Sequence, residues 1–216
     1  MAILLGPAVN IKRSPLCGRN FEYFSEDPYL AGEMASSYIS GVQSKHVGTS
    51  IKHFAVNNQE RRRMTVSAVT DERALREIYF PAFEAAVKQA QPWTVMCSYN
   101  RINGVYSSEN EWLLDQVLRK DWGFQGFVMT DWGAANDRVE GVKAGLELEM
   151  PSSGGVNSAR IRKGVQEGRI REETLDRAVQ RILEIVFRYA ENRDEAAVFD
   201  RAADHEKAHQ AALETM

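Results

Sequence analysis

Short β-branched or apolar runs alternate along this chain with longer segments whose apolar residues recur at helical spacing. That alternation confines the fold to βαβ units around a parallel sheet. The candidate strands are Ile3 to Ile11, Thr49 to Phe54, Thr94 to Ser98, Gly126 to Thr130 and Leu146 to Met150, each followed by helical sequence.

The helices carry their own punctuation. Asp27-Pro28 is a cap followed by proline at the first helical position, leading into Leu30, Met34, Tyr38 and Val42 at i, i+4 spacing and an end near Gln43. From Thr70 a second helix gathers Leu75, Ile78, Tyr79, Ala82, Phe83, Ala86 and Val87 on one stripe, with Asp71, Glu72 and Glu77 toward its positive end and a kink expected at Pro81. Further helical patterns are Leu113-Leu114-Val117-Leu118, Ile161 with Val165, and Leu175-Val179-Ile182-Leu183-Val186, the last stopping at the charged turn from Glu191 to Asp194. The tail from Arg201 to Met216 reads as a final helix, and no internal repeat or low-complexity segment occurs.

The unusual polar residues cluster at strand ends. Lys52-His53, Ser98-Tyr99-Asn100 and Asp131-Trp132 each lie at or just past the C-terminal end of a predicted strand, where a β/α barrel or an open α/β sheet builds its site. Three coincidences of this kind point to one shared pocket.

Composition narrows the chemistry. With 27 Lys plus Arg against 30 Asp plus Glu the net charge is −3, and no long basic tract exists to hold a phosphate backbone, so nucleic acid is not expected as a partner. Arg61-Arg62-Arg63 is too short a run to change that. Hydrophobic residues at 44% and charged residues at 26% describe a chain able to bury a core. No stretch approaches the roughly 18 apolar residues of a membrane span, and Met1 to Pro7 lacks the basic-then-apolar pattern of an export signal. Cys17 and Cys97 have no C-x-x-C spacing, so neither a disulfide framework nor a zinc site is indicated, and a reducing, cytoplasmic compartment is expected. His46, His205 and His209 lack metal-ligand company; no metal or other cofactor is assigned.

Each candidate residue has a functional and a structural alternative. Asp131, carried out of a buried strand beside Trp132, suits a nucleophile facing a sugar ring, or it caps the next helix. Lys52 and His53 are adjacent in a strand, so alternation points them to opposite faces; they donate to substrate hydroxyls, or they are a surface lysine beside a core histidine. Lys52 is also a chemically feasible Schiff-base lysine. Arg19, in Gly18-Arg19-Asn20-Phe21-Glu22, presents a guanidinium fork to vicinal hydroxyls or pairs with Glu22 or Glu26 in the loop. Asn57, Asn58, Glu60 and Arg63 form a dense polar run that supports the site. Tyr99 is a donor to the nucleophile or to a sugar oxygen, and Met96 lines the pocket wall or fills the core.

With these residues in hand, the chain resembles glycoside hydrolase family 3, in its β-glucosidase-like branch. The matching stretches run in order from Gly6-Pro7-Ala8-Val9-Asn10-Ile11, through Gly18-Arg19-Asn20-Phe21-Glu22 with Ser25-Glu26-Asp27-Pro28, Lys52-His53-Phe54 and Asp71-Glu72-Arg73 with Leu75-Arg76-Glu77, to Ser98-Tyr99-Asn100, Thr130-Asp131-Trp132-Gly133 and Ala144-Gly145-Leu146. The resemblance implies a retaining glycosidase built on a TIM-type (β/α) barrel, with Asp131 as the nucleophile that forms a covalent glycosyl-enzyme. It also implies that Arg19, Lys52, His53, Arg63 and Tyr99 surround the terminal sugar, with Trp132 and Met96 lining the pocket. Two carboxyl groups suffice for such chemistry without a metal. Ala55-Val56-Asn57-Asn58 stands where N-acetylglucosaminidases of the family carry a Pro-Gly-His-Gly loop, which favours glucosides or other plain β-glycosides.

The resemblance also implies an incomplete barrel: residues 1–195 are expected to form part of it, and 196–216 a linker or helix toward a second α/β domain. The family's acid/base glutamate comes from that second domain, so the isolated chain is expected to turn over natural glycosides weakly or not at all. Open sheet edges and uncovered helix faces predict self-association or a complementing fragment as partner. The competing readings are a non-catalytic sugar-binding or assembly fragment and an aldolase-like barrel with Lys52 as nucleophile.

Overall fold

The computed structural model describes residues 1–215. Its frame is a parallel sheet of four strands in the order β1 (Ile3–Leu4), β2 (Gly48–Phe54), β4 (Thr94–Cys97) and β7 (Phe127–Thr130). Four parallel strands are half of the eight that close a β/α barrel. A small second sheet, β3 (Ser67–Ala68), β5 (Arg101–Ile102) and β6 (Val105–Tyr106), is built within the segments that follow β2 and β4.

Between the strands run α1 (Pro28–Gln43), the single turn α2 (Glu72–Ala74), a π-helical turn at Leu75–Tyr79, α3 (Pro81–Ala90) and a π-wound helix at Trp112–Asp121. After β7 come α4 (Arg138–Ala144), α5 (Val156–Gln166), α6 (Glu172–Asn192) and α7 (Arg201–Thr215). Asp27 caps α1 by accepting from the Tyr29 N–H, and Pro28 takes the first helical position, as the local sequence predicts. Pro81 does break the second helix: with no N–H to donate it begins α3, and the Phe80 N–H reaches back five residues to the Leu75 carbonyl.

Two of the five expected strands are shorter than the pattern predicts. The run from Ile3 to Ile11 is regular strand only at Ile3–Leu4, and beyond Gly6-Pro7 it keeps two isolated bridges at Ala8, one to Lys52 and one to Tyr23. The run from Leu146 to Met150 lies against β7 with one bridge, Met129 to Leu148. Its ladder is interrupted because Glu147 and Leu148 both donate to the Val128 carbonyl.

Alternation along β4 and β7 divides the core. Val95, Cys97 and Val128 face the helices, joining Ile51, Phe54, Phe83 and Leu118 in the main cluster. On the other face Met96, Phe127 and Met129 pack with Trp93 and with Ile185 of α6. α6 is pinned there by a buried charge cluster: Glu147 accepts from Arg119 at 2.7 Å and Arg181 at 2.7 Å, and also takes the Val128 N–H.

The helix faces differ from the expected stripes. α1 turns Ala31, Gly32, Ala35, Ser36 and Ile39 inward and leaves Leu30, Met34 and Tyr38 exposed. A Cβ at Gly32 would sit 3.0 Å from the Ala85 Cβ, so the close approach of α1 to α3 selects small residues and outweighs hydrophobic periodicity. In α6 the buried positions are Ala178 and Ile185, while Val179, Leu183 and Val186 are exposed. α6 also runs to Asn192, past the Glu191 where a charged turn was expected.

Candidate active site

The ends of β2, β4 and β7 do converge. β2 departs from its regular pairing with β4 between Ile51 and Phe54. The Lys52 N–H donates instead to the Pro7 carbonyl and the Lys52 carbonyl accepts from Val9, while Asn10 holds the His53 backbone from both sides: Oδ1 accepts its N–H at 2.9 Å and Nδ2 donates to its carbonyl at 3.0 Å. A break of this kind re-aims side chains, and both Lys52 and His53 reach the same cluster, contrary to strict alternation.

Arg19 and Glu22 enter from the loop before α1. A turn closed by the Glu22 N–H to the Arg19 carbonyl sets their side chains together, and Arg19 Nε donates to Glu22 Oε1. Glu22 Oε2 pairs with Lys52 Nζ at 3.1 Å, so one carboxylate bridges two cations. Burial works against the Glu22 charge, but Arg19 and Lys52 outweigh it and hold the carboxyl below its ordinary range. For Arg19, burial is likewise outweighed by Glu22, and its pKa is raised.

His53 is 1% exposed and its ring stays neutral: burial first, then the charges of Arg19, Lys52 and Arg63, push its pKa well below the ordinary histidine value. Arg19 Nη2 lies 2.9 Å from His53 Nε2, and a guanidinium can only donate, so Nε2 accepts and the ring proton sits on Nδ1. The 3.5 Å approach of Nε2 to Asp131 Oδ2 is therefore not an ion pair.

Asp131 follows β7 directly, its backbone N–H bound to the Cys97 carbonyl of β4. Oδ1 accepts the Trp132 N–H at 2.7 Å, while Oδ2, buried in a residue only 8% exposed, has no hydrogen-bond partner among the described residues. Tyr99 Oη donates to the Trp132 carbonyl at 2.9 Å, and burial together with the Asp131 charge pushes its pKa up to about 12. The Arg63 guanidinium stacks over the Tyr99 ring at 4.5 Å and pairs with Glu60 at 2.8 Å. Trp132 is 43% exposed at the mouth.

Seven of the eight residues singled out from sequence thus form one contact network: Arg19, Lys52, His53, Arg63, Tyr99, Asp131 and Trp132. Met96 is the eighth; at 2% exposed it packs in the cluster with Trp93, Phe127 and Met129, which is the core-filling alternative. Two members were not named as site residues from sequence. Glu22 was visible only as a loop partner for Arg19, and Asn10 was hidden inside an apolar run, where a buried asparagine was the available signal. The cluster is a neutral histidine and a half-free carboxylate ringed by fixed donors, an arrangement that can grip vicinal hydroxyls while one carboxylate oxygen faces an electrophilic carbon.

The model of the glycosyl hydrolase family 3 N terminal domain matches residues 1–185. The chain belongs to this family. Among curated relatives, it is similar to thermostable beta-glucosidase B of Acetivibrio thermocellus, 59% identical over 216 residues, which are all of this chain and 29% of that one. It is also similar to an exo-alpha-(1->6)-L-arabinopyranosidase of Bifidobacterium longum, 56% identical over 222 residues, covering 100% of this chain and 28% of the relative. Among solved structures the family 3 fold recurs in a Bifidobacterium adolescentis GH3 beta-glucosidase, with a TM-score of 0.95 at 57% identity over 99% of this chain and 32% of that one. It recurs again in beta-glucosidase 3B of Thermotoga neapolitana in complex with glucose, with a TM-score of 0.88 at 50% identity over 95% of this chain and 30% of that one. The chain spans about a third or less of the length of these relatives. Its parallel sheet is part of a TIM-like α/β barrel.

Proposed function

We propose that this family 3 domain carries the sugar-binding and nucleophilic half of a retaining glycosidase site for β-glucosides or similar β-glycosides. The observation that carries the reading is Asp131: one carboxylate oxygen is fixed by the Trp132 N–H and the other, buried, has no protein partner among the described residues. Attack by Oδ2 on the anomeric carbon gives an α-linked glycosyl ester as the aglycone leaves, and water then displaces Asp131 with a second inversion, so the configuration is retained. Arg19, Lys52 and His53 bind sugar hydroxyls, Trp132 stacks on the ring face, and Tyr99, protonated through the working range, donates near Asp131.

The leaving group needs a proton, and the cluster's other carboxylates are engaged. Glu22 bridges Arg19 and Lys52 with its pKa shifted downward, the wrong direction for a general acid, and Glu60 is paired with Arg63 and Asn57. The chain alone therefore favours aglycones that leave as stable anions. A dinitrophenyl β-glucoside should be turned over and a methyl β-glucoside should not, with β-glucose the anomer first seen by proton NMR; α-glucose appearing first would contradict a retaining mechanism.

The competing aldolase-like reading loses support from the Lys52 ion pair, which occupies the amine a Schiff base would need. Binding without chemistry is the alternative that the engaged carboxylates favour: glucose would then bind saturably while no glucoside is cleaved, however good its leaving group.

A further inference from the structure

We propose that a cavity beside the loop bearing Arg63, lined by none of the residues of the Asp131 network, is a separate binding site for a small hydroxylated organic anion, a sugar acid or sugar phosphate. The cavity measures about 580 Å³, within the roughly 300–1,000 Å³ of small-molecule sites. Arg13, Arg61 and Arg62 line it together with the hydroxyl-bearing Thr65, Ser67 and Thr70, and no carboxylate is among the lining residues. Three cations without a counter-charge in one concave site stand out in a chain whose net charge is −3.

The nearby acids are already engaged. Glu60 is bound to Arg63 and Asn57, and Asp71 caps α2 by accepting the Ala74 N–H at 2.7 Å. Arg13 gives one N–H to Tyr79 Oη at 2.9 Å, leaving the rest of its fork for a ligand, and neither Arg61 nor Arg62 makes a side-chain ion pair among the described residues. A tight turn, in which Thr65 and Val66 both donate to the Arg62 carbonyl, holds the two arginines at the rim.

The second half of the recognition is a set of hydroxyls on the cavity wall. The side chains of Thr65, Ser67 and Thr70 supply those hydroxyls, each able to accept from a hydroxyl of a bound molecule. A ligand that satisfies both features carries a carboxylate or phosphate for the arginine forks and at least one hydroxyl for these side chains. Inorganic anions fill only the first requirement.

Isothermal titration of the full chain with glucose 6-phosphate, glucuronate and neutral glucose tests this, using R61Q/R62Q, R13Q and R19Q variants. At least one anion should bind saturably, and whichever binds tighter assigns phosphate or carboxylate. Both cavity variants should weaken it about tenfold or more, while R19Q leaves it within about twofold. Because Arg61 and Arg62 are exposed, the double variant should melt with the parent chain. Neither anion binding more tightly than glucose would overturn the proposal, as would equal affinity in R61Q/R62Q. Loss in R19Q alone would also overturn it, by moving the anion to the Asp131 cluster, so this outcome is separable from failure of the glycosidase reading.

Discussion

His53 links the site to the stability of the fold. Its pKa in the folded chain lies well below that of an unfolded histidine, so between the two values the unfolded chain binds more protons. The neutral ring stabilises the fold fully above the ordinary histidine pKa of about 6.5, and that contribution shrinks as pH falls below it. The melting temperature should therefore decline on acidification from pH 7.5 to 5.5, and His53→Gln should flatten that limb; a parallel decline in both proteins would contradict the assignment. Glu22 acts at lower pH with the same sign: its depressed pKa means stability lost as the pH drops below the ordinary carboxyl range. At this scale the sequence was informative where polar residues sit at strand ends. Lys52, His53, Tyr99 and Asp131 stood out because polar residues there have few structural reasons to exist. Glu22 and Asn10 did not, because their importance lies in what they touch across 30 and 43 residues of chain, a relation no local pattern carries.

Among the elements, the strands that build the site were legible and the buried faces of two helices were not. Thr49 to Phe54, Thr94 to Ser98 and Gly126 to Thr130 agree with β2, β4 and β7 within a residue or two, since strands buried on both faces read as continuous apolar runs. For α1 the large apolar residues mark the exposed face, because contact with α3 admits only small side chains. For α6 the inward face is Ala178, Ile182, Ile185 and Tyr189, which shares only Ile182 with the expected stripe, and the charge of Glu147 with Arg119 and Arg181 does part of the docking, which no hydrophobic period encodes. The two faces of α6 separate in a mutational test. Ile185→Ala removes a buried side chain beside Met96 and Phe127 and should cost about 2–5 kcal/mol, whereas the exposed Leu183→Gln should stay within about 0.5 kcal/mol. Denaturant melts giving equal losses would mean that α6 docks through the stripe read from sequence.

Across the whole molecule, the fold is a four-stranded portion of a family 3 barrel in which helices cover one sheet face and α6 the other. Large apolar side chains stay exposed on α1 (Leu30, Met34, Tyr38) and on α6 (Val179, Val186, Phe187), while α7 has no buried residue. Patches of this kind predict self-association, and sedimentation velocity should show an average mass that grows with concentration; a concentration-independent monomer would contradict this. The central claim is narrower: this chain folds the nucleophile half of a retaining site. Its most direct test is incubation with 2,4-dinitrophenyl 2-deoxy-2-fluoro-β-glucoside, whose leaving group needs no acid, followed by intact mass and peptide mapping. The account predicts one fluoroglycosyl adduct on the Asp131 peptide, absent in Asp131→Ala. A cooperatively folded chain that acquires no adduct, or acquires it on another residue, would contradict it.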